Sequence, residues 1–162
     1  MLQHAFEVGG DYYDFIHLGK NKLGIIIGDV SGKGTQAAFY MTLTKGFLKA
    51  IAKHTDSPAE VLTKMNELFY ENVERGRFIS MIYAVVDLET KLIRIARAGH
   101  NPVIYHDGEG NVSLISPNGL ALGLEKGELF GKVITEFEER IETGKTFIFY
   151  TDGFTEAVNK KG

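Results

Sequence analysis

A run of apolar residues that ends in an aspartate and a glycine-rich turn constrains the fold of this chain more than any other feature. Residues 23–27 read Leu-Gly-Ile-Ile-Ile, a run rich in β-branched side chains that predicts a buried strand. Gly28 and Asp29 end the run, a turn follows through Gly34, and the residues from Thr35 onward indicate a helix. A carboxylate at the end of a strand, next to a flexible glycine-rich turn, predicts a functional site there.

The segment before this run supplies its partner strand. Residues 8–18 form an aromatic, strand-prone stretch that stops at the turn 19–22, so the two segments predict a β-hairpin. Antiparallel pairing brings Asp11 opposite Asp29, whereas Asp14 points to the other face of the strand. Two carboxylates about 5 Å apart repel by roughly 3 kcal/mol at an effective dielectric constant near 20. Such a pair requires a shared proton or a bound cation.

The rest of the chain predicts two helices followed by a series of strands. The first helix spans residues 35–53, and Ser57, Pro58 and Glu60 provide the N-cap, first-turn proline and capping glutamate of the second. Strands are predicted at residues 78–86, 92–98, 103–106, 112–115, 132–141 and 146–150, the last of them buried and ending at Asp152. Residues 154–158 have the pattern of a further helix start.

The composition excludes several classes of protein. A chain of 162 residues with 44% hydrophobic content is sufficient for one domain with its own core. A net charge of -3 without a block of basic residues argues against a nucleic-acid partner. With no cysteine, the chain has neither a thiolate metal site nor a cysteine nucleophile. No stretch resembles a secretory signal or a membrane span, so we expect a cytoplasmic protein without membrane contact from this segment.

Three aspartates share a position at a strand end next to glycine, namely Asp11, Asp29 and Asp152. Hard oxygen donors of this kind select Mg²⁺ or Mn²⁺ rather than Zn²⁺. Two such ions about 3.5–4 Å apart can hold a phosphoryl group and convert a water into a nucleophile at neutral pH. The pattern therefore indicates metal-assisted phosphoester hydrolysis. The alternative is that all three are ordinary turn aspartates that accept backbone N–H groups.

Residues 28–35 also have some features of a phosphate-binding loop, because they follow a strand and open a helix. Only three residues separate Gly28 from Gly32 where that motif needs four, and Lys33 is followed by glycine instead of serine or threonine. An aspartate inside such a loop would repel phosphate unless a metal intervened. Nucleotide binding is therefore the less favoured hypothesis, and Lys33 either attracts a substrate phosphate or is a solvated residue at the helix start.

Four motifs, in order along the chain, resemble those of the SpoIIE/RsbU-like branch of the metal-dependent (PPM) protein serine/threonine phosphatases. They are residues 8–14 (VGGDYYD), 28–34 (GDVSGKG), 98–102 (AGHNP) and 150–156 (YTDGFTE). The resemblance covers essentially the whole chain and implies one α+β domain over residues 1–162. Its fold would be a four-layer α-β-β-α sandwich of two antiparallel sheets flanked by helices, with two Mn²⁺ or Mg²⁺ ions at one end.

The resemblance also implies roles for individual residues. Asp29 would bridge both metals, Asp11 would bind mainly the second, Val30 would contribute its backbone carbonyl, and Asp152 would bind the first. The three aspartates would be the catalytic residues around a metal-bound water that attacks phosphorus. Ser31 stands where other phosphatases of the wider family have a histidine, so no general acid is assigned. No counterpart of the arginine that holds phosphate in those relatives is visible.

Members of this branch typically remove phosphate from serine or threonine of small anti-anti-sigma (STAS) proteins, under the control of an attached sensor domain. The resemblance implies such a phosphorylated partner here, in bacterial signalling, and a sensor outside this segment. The family usually continues to a final Asp-Asp or Asp-Asn pair, so we expect a fragment of a longer chain with an incomplete first metal site. A frayed sheet edge would permit a homodimer. The alternative function is a catalytically incomplete phosphatase-like domain that binds protein.

Two polar residues outside the three aspartates leave their roles open. His100, in the third motif, either lines the site or caps a tight turn. Ser80 is flanked by apolar residues of a predicted strand and is interpreted as structural.

Overall fold

Two antiparallel sheets and the helices beside them make up the fold. The computed structural model describes residues 10–32 and 34–155, with the backbone alone at 154 and 155. In chain order the elements are β1 (Asp11–His17), β2 (Lys22–Val30), α1 (Thr35–Ile51), α2 (Pro58–Asn72), β3 (Ile79–Asp87), β4 (Leu92–Ala98), β5 (Val103–His106), β6 (Val112–Ile115), α3 (Glu128–Val133), β7 (Glu136–Arg140), β8 (Thr146–Ile148) and α4 (Asp152–Thr155). One sheet has the order β1-β2-β3-β4-β7 and the other β6-β5-β8. The predicted α+β class is confirmed.

Alternation along the central strands separates two cores. Tyr83 and Val85 on β3 face α1 and α2, whereas Ile82 and Ala84 on the same strand face the three-stranded sheet. Three layers of the sandwich therefore lie within the described residues: the helices α1 to α3, the five-stranded sheet and the three-stranded sheet. Strand β2, which carries Asp29, lies inside the larger sheet, between β1 and β3.

The hairpin β1–β2 has the register that the sequence predicts. Asp11 pairs directly with Asp29 across the two strands. Asp14 lies on the opposite face, where its carboxylate is 2.9 Å from the Lys45 ammonium of α1 and accepts the Tyr12 hydroxyl at 2.8 Å. The predicted start of this hairpin, residues 8 and 9, lies outside the described residues.

Helix α2 begins where the capping pattern predicts. Ser57 is the N-cap, and its hydroxyl accepts the backbone N–H of Glu60 at 3.1 Å. The carboxylate of Glu136 on β7 adds a second cap, because it accepts the backbone N–H of Ala59 at 2.8 Å and the Ser57 hydroxyl. Helix α1 ends at Ile51, two residues before the predicted end.

The predicted strand over residues 132–141 is wrong in its first part. Residues 128–133 form helix α3 instead, and β7 begins only at Glu136. The cause is long-range packing: Phe130 is fully buried in the core beneath the helices, where α3 contacts α2. The alternation of exposed and half-buried residues typical of a one-sided strand starts only at Glu136.

The last predicted strand is shorter and less buried than its apolar sequence indicates. β8 spans Thr146–Ile148 and pairs with β5, and Ile148 is 48% exposed. Phe147 alone of these three residues points between the sheets, where its ring lies 5.0 Å from that of Tyr105. The predicted helix over 154–158 is described only in part, as α4 starts at Asp152 and residues 156–158 lie outside the described residues.

Replacing Gly46 with alanine should stabilise the chain. This glycine is exposed in the middle of α1, and a Cβ placed on it meets no atom within 4 Å. Alanine should therefore raise the free energy of unfolding by roughly 0.5–1 kcal/mol, because glycine loses more backbone entropy in a helix. Thermal unfolding measures the effect. The control Gly144→Ala, at φ +92°, should lower the midpoint, and a Gly46→Ala midpoint at or below that of the parent would contradict the account.

Candidate metal centre

The ends of separate elements bring the three predicted aspartates together. Asp11 opens β1, Asp29 lies near the end of β2, and Asp152 begins α4 shortly after β8. One carboxylate oxygen from each lies within 4.8 Å of the others. Asp11 and Asp29 meet through cross-strand pairing in one sheet, whereas Asp152 reaches them from the segment that follows the other sheet. The sandwich thus converges on a cluster of three acidic side chains.

Glycines allow the backbone to approach this cluster closely. A Cβ on Gly10 would lie 2.7 Å from the carbonyl oxygen of Val30 and would also overlap a carboxylate oxygen of Asp29. A Cβ on Gly153 would lie 2.9 Å from a carboxylate oxygen of Asp11. A side chain at Gly10 or Gly153 would therefore clash with the cluster, which explains the glycines at these positions. The Val30 carbonyl oxygen and an Asp29 carboxylate oxygen both lie close to the position of a Cβ on Gly10.

The electrostatics of the cluster favour a cation. The pKa of Asp29 is raised, first by burial and then by the negative charges of Asp11 and Asp152, against a smaller opposing effect of the Val30 backbone N–H. Three carboxylates held this close are unfavourable unless a proton or a cation lies among them. Because all the donors are hard oxygens, the set fits Mg²⁺ or Mn²⁺.

A cavity of about 430 Å³ opens beside the cluster. Its lining combines acidic, polar and aromatic residues: Asp29, Val30, Ser31, Gly32, Phe78, Ser80, Gly99, His100, Asn101 and Asp152. The fourth predicted site residue, Asp11, is held beside it by the Thr151 hydroxyl, which donates to its carboxylate at 2.8 Å. Lys33, the candidate for attracting phosphate, lies outside the described residues.

His100 lines the cavity and is buried, with 5% of its surface exposed. Its Nε2 is 3.1 Å from the carbonyl oxygen of Tyr150 and its Nδ1 is 2.8 Å from the Ser80 hydroxyl. Burial lowers the pKa of the imidazole, more than the neighbouring carbonyl and aspartates raise it, so the neutral ring is favoured. Ser80, interpreted from the sequence as structural, also lines the cavity. The β2–β3 register, which pairs Ser80 with Asp29, is the feature from which its place beside the cluster could have been predicted.

An arginine lies beside Gly32, one of the residues that line the cavity, although the sequence predicted no arginine here. Arg77 donates from Nη2 to the Gln36 side chain at 2.7 Å, and its Nη1 is 3.1 Å from the position of a Cβ on Gly32. The loop beside it is fixed to the start of β3, because Ser31 and Phe78 exchange hydrogen bonds of 2.9 and 3.0 Å. Arg77 is 45 positions after Gly32, so only tertiary structure reveals this proximity.

The raised pKa of Asp29 predicts a pH-dependent stability of the cation-free chain. A carboxyl whose pKa is higher in the folded state destabilises that state when ionised, and the penalty disappears as pH falls through the raised pKa. In the presence of a chelator, we expect Asp29→Asn to be more stable than the parent at pH 7, with a difference that shrinks toward about pH 4. Urea unfolding at several pH values measures it, and a pH-independent difference would contradict the electrostatic origin.

Comparison with known proteins identifies the family. Residues 19–162 match the family model described as Stage II sporulation protein E (SpoIIE). The chain belongs to the SpoIIE family. The resemblance predicted from the four motifs is thereby confirmed. This SpoIIE-family chain is 30% identical over 159 residues to "Phosphoserine phosphatase RsbU" of Bacillus subtilis (strain 168), an alignment that covers 98% of the chain and 46% of the relative.

Solved structures agree with the fold. The PP2C phosphatase domain of SpoIIE from Bacillus subtilis superposes with a TM-score of 0.75 at 20% identity, covering 91% of this chain and 41% of that one. RsbX, solved in complex with magnesium, gives a TM-score of 0.70 at 18% identity, covering 94% and 71%. The SpoIIE-family chain spans about half the length of its relative RsbU. Among the helices of the described residues, none has the length and apolar character to cross a bilayer.

Proposed function

We propose that this chain is a metal-dependent protein phosphatase domain that hydrolyses phosphoserine or phosphothreonine. The observation that carries the proposal is the cluster of Asp11, Asp29 and Asp152, whose ligand oxygens lie within 4.8 Å beside an open cavity. Membership of the SpoIIE family and similarity to a phosphoserine phosphatase support the same chemistry.

Each residue of the cluster has a proposed role in binding the metal ions. Asp29 would be a ligand of both Mn²⁺ or Mg²⁺ ions, Asp152 of the first and Asp11 mainly of the second, with the Val30 carbonyl as a further ligand. The position of that carbonyl near the Asp29 carboxylate supports the last assignment. Ions bound there would lower the pKa of a water and offset charge on the phosphoryl group. In the reaction, water forms a new bond to phosphorus, the bond from phosphorus to the serine oxygen breaks, and that oxygen takes up a proton.

The surroundings of the cluster suit a phosphorylated side chain on a protein. The guanidinium of Arg77 lies beside Gly32 of the cavity lining and 4.0 Å from the Glu74 carboxylate, and the part of its charge that Glu74 leaves would attract a phosphate dianion. Phe78 lines the same cavity and is 40% exposed, so it offers an apolar contact to residues next to the phosphoserine. A free phosphate ester would use the first contact but not the second.

The substrate that we propose is a phosphorylated anti-anti-sigma protein of the STAS type. The resemblance to the SpoIIE/RsbU-like branch, whose members typically act on such proteins, supports this choice over a metabolite. A sensor domain outside this segment would then regulate the reaction, in bacterial cytoplasm. A homodimer is compatible with the proposal, since β1 is an edge strand of the larger sheet within residues 10–155 as described.

The decisive assay compares hydrolysis of a serine-phosphorylated STAS protein in Mn²⁺, in Mg²⁺ and in chelator. We expect release of phosphate that requires the cation and is weaker toward an aryl phosphate. Equal rates in chelator and in Mn²⁺ would reject the metal-dependent mechanism. Binding of the partner with no turnover, and no effect of the cation, would instead favour a phosphatase-like domain that only binds protein.

A further inference from the structure

A hydrogen-bonded bridge connects strand β3 to the segment that carries Asp152. Ser80 lies 2.8 Å from Nδ1 of His100, and Nε2 of the same ring lies 3.1 Å from the carbonyl oxygen of Tyr150. Because a carbonyl oxygen can only accept, Nε2 carries the proton, and Nδ1 then accepts from the Ser80 hydroxyl. Both ring nitrogens of the buried His100 are thus hydrogen-bonded, Nδ1 to Ser80 on β3 and Nε2 to Tyr150 near the end of the described chain.

Each end of the bridge stands next to a carboxylate of the metal cluster. Ser80 pairs with Asp29 in the β2–β3 ladder, so the two residues occupy neighbouring positions on the same face. Tyr150 precedes Asp152 by two residues. The bridge therefore connects, through protein atoms, the strand that pairs with Asp29 and the segment that carries Asp152.

The segment that carries Asp152 lies beyond the last strand of the described residues. The β5–β8 ladder ends at Ile148, and α4 is a single turn of four residues. Besides the bond from His100 to the Tyr150 carbonyl, Thr151 donates to the Asp11 carboxylate at 2.8 Å. Tyr150 and Thr151 are thus hydrogen-bonded to different partners, Tyr150 to His100 and Thr151 to Asp11.

We propose that His100 is a positioning residue, which holds Asp152 within ligand distance of Asp29 before any cation binds. The inference rests on the proposed function, since it assumes that these aspartates bind a metal. Without the bridge, repulsion among the three carboxylates would shift the segment after β8 that carries Asp152. Ligands that are already in place lose less conformational entropy when a metal binds. The bridge should therefore raise the affinity of the site for a metal ion.

The test measures Mn²⁺ affinity by calorimetry on the folded, cation-free chain. His100→Phe keeps a ring but removes both hydrogen bonds, and we expect its dissociation constant to rise about tenfold or more. His100→Gln can still donate to the Tyr150 carbonyl and should retain most of the affinity. Ser80→Ala removes one bond of the bridge and should give an intermediate loss.

A variant elsewhere in the core separates positioning from general destabilisation. Phe130→Leu, in α3, should lower the unfolding midpoint by repacking without changing Mn²⁺ affinity. Parent-like affinity in His100→Phe, or an equal loss in Phe130→Leu, would overturn the positioning role while leaving the metal site intact. Absence of Mn²⁺ binding by the parent chain would overturn the positioning role and the proposed function together.

Discussion

Replacing Asp29 with asparagine should abolish phosphate release while making the cation-free chain harder to unfold. Activity should fall by at least about 100-fold, because the proposed bridging ligand loses its charge. The free energy of unfolding in chelator should rise on the order of 1 kcal/mol, since one of three mutually repelling carboxylates is gone and solvent screens part of the effect. The two effects have opposite signs because the substitution removes a proposed metal ligand and, in the cation-free chain, also removes a buried charge that two neighbouring carboxylates repel.

Phosphate release in saturating Mn²⁺ and thermal unfolding in chelator measure these effects on the same preparations. Asp14→Asn is the matched control, because Asp14 lies on the same strand as Asp11 but faces α1, where it pairs with Lys45. We expect the control to retain activity and to lose some stability. A less stable Asp29→Asn chain would mean that this aspartate serves the fold instead of a cation.

Gly10→Ala should disrupt the same site through its backbone. The added methyl group would lie 2.7 Å from the Val30 carbonyl oxygen and would overlap the Asp29 carboxylate, so both proposed ligands must move. We expect Mn²⁺ affinity to fall about tenfold or more and the free energy of unfolding to drop by about 1–3 kcal/mol. Calorimetry and thermal unfolding measure the two losses.

The β1–β2 turn offers a control for this substitution. Gly19 lies in the same hairpin, and a Cβ built on it has no neighbour within 4 Å. Gly19→Ala should therefore leave Mn²⁺ affinity and phosphate release near their parent values. If Gly10→Ala also bound Mn²⁺ like the parent, the close approach of backbone and carboxylate at β1 would have no role in the site.

Local rules were sufficient to predict the central part of the site. The turn after β1 sets the hairpin register, and the register alone places Asp11 opposite Asp29 and turns Asp14 away. The N-cap of α2 at Ser57 likewise depends on neighbouring residues only. Both features depend on residues that are near in sequence, since Asp11 and Asp29 are 18 positions apart and belong to one hairpin.

Structural features that depend on contacts between residues far apart in the sequence were not predicted. Residues 128–133 became a helix because Phe130 fills a gap in the core beneath the helices, which the local alternation does not show. The bridge from Ser80 through His100 to Tyr150 joins three parts of the chain, and its parts are 20 and 50 positions apart. Arg77 likewise lies beside Gly32 only through tertiary structure, because 45 positions separate the two residues.

A Mn²⁺ titration of the parent chain, of Asp29→Asn and of Asp14→Asn, followed by electron paramagnetic resonance of the free ion, tests the central claim most directly. The account predicts that the parent and Asp14→Asn remove Mn²⁺ from solution, whereas Asp29→Asn does so far more weakly. Equal uptake by all three chains would contradict the assignment of a metal centre to Asp11, Asp29 and Asp152.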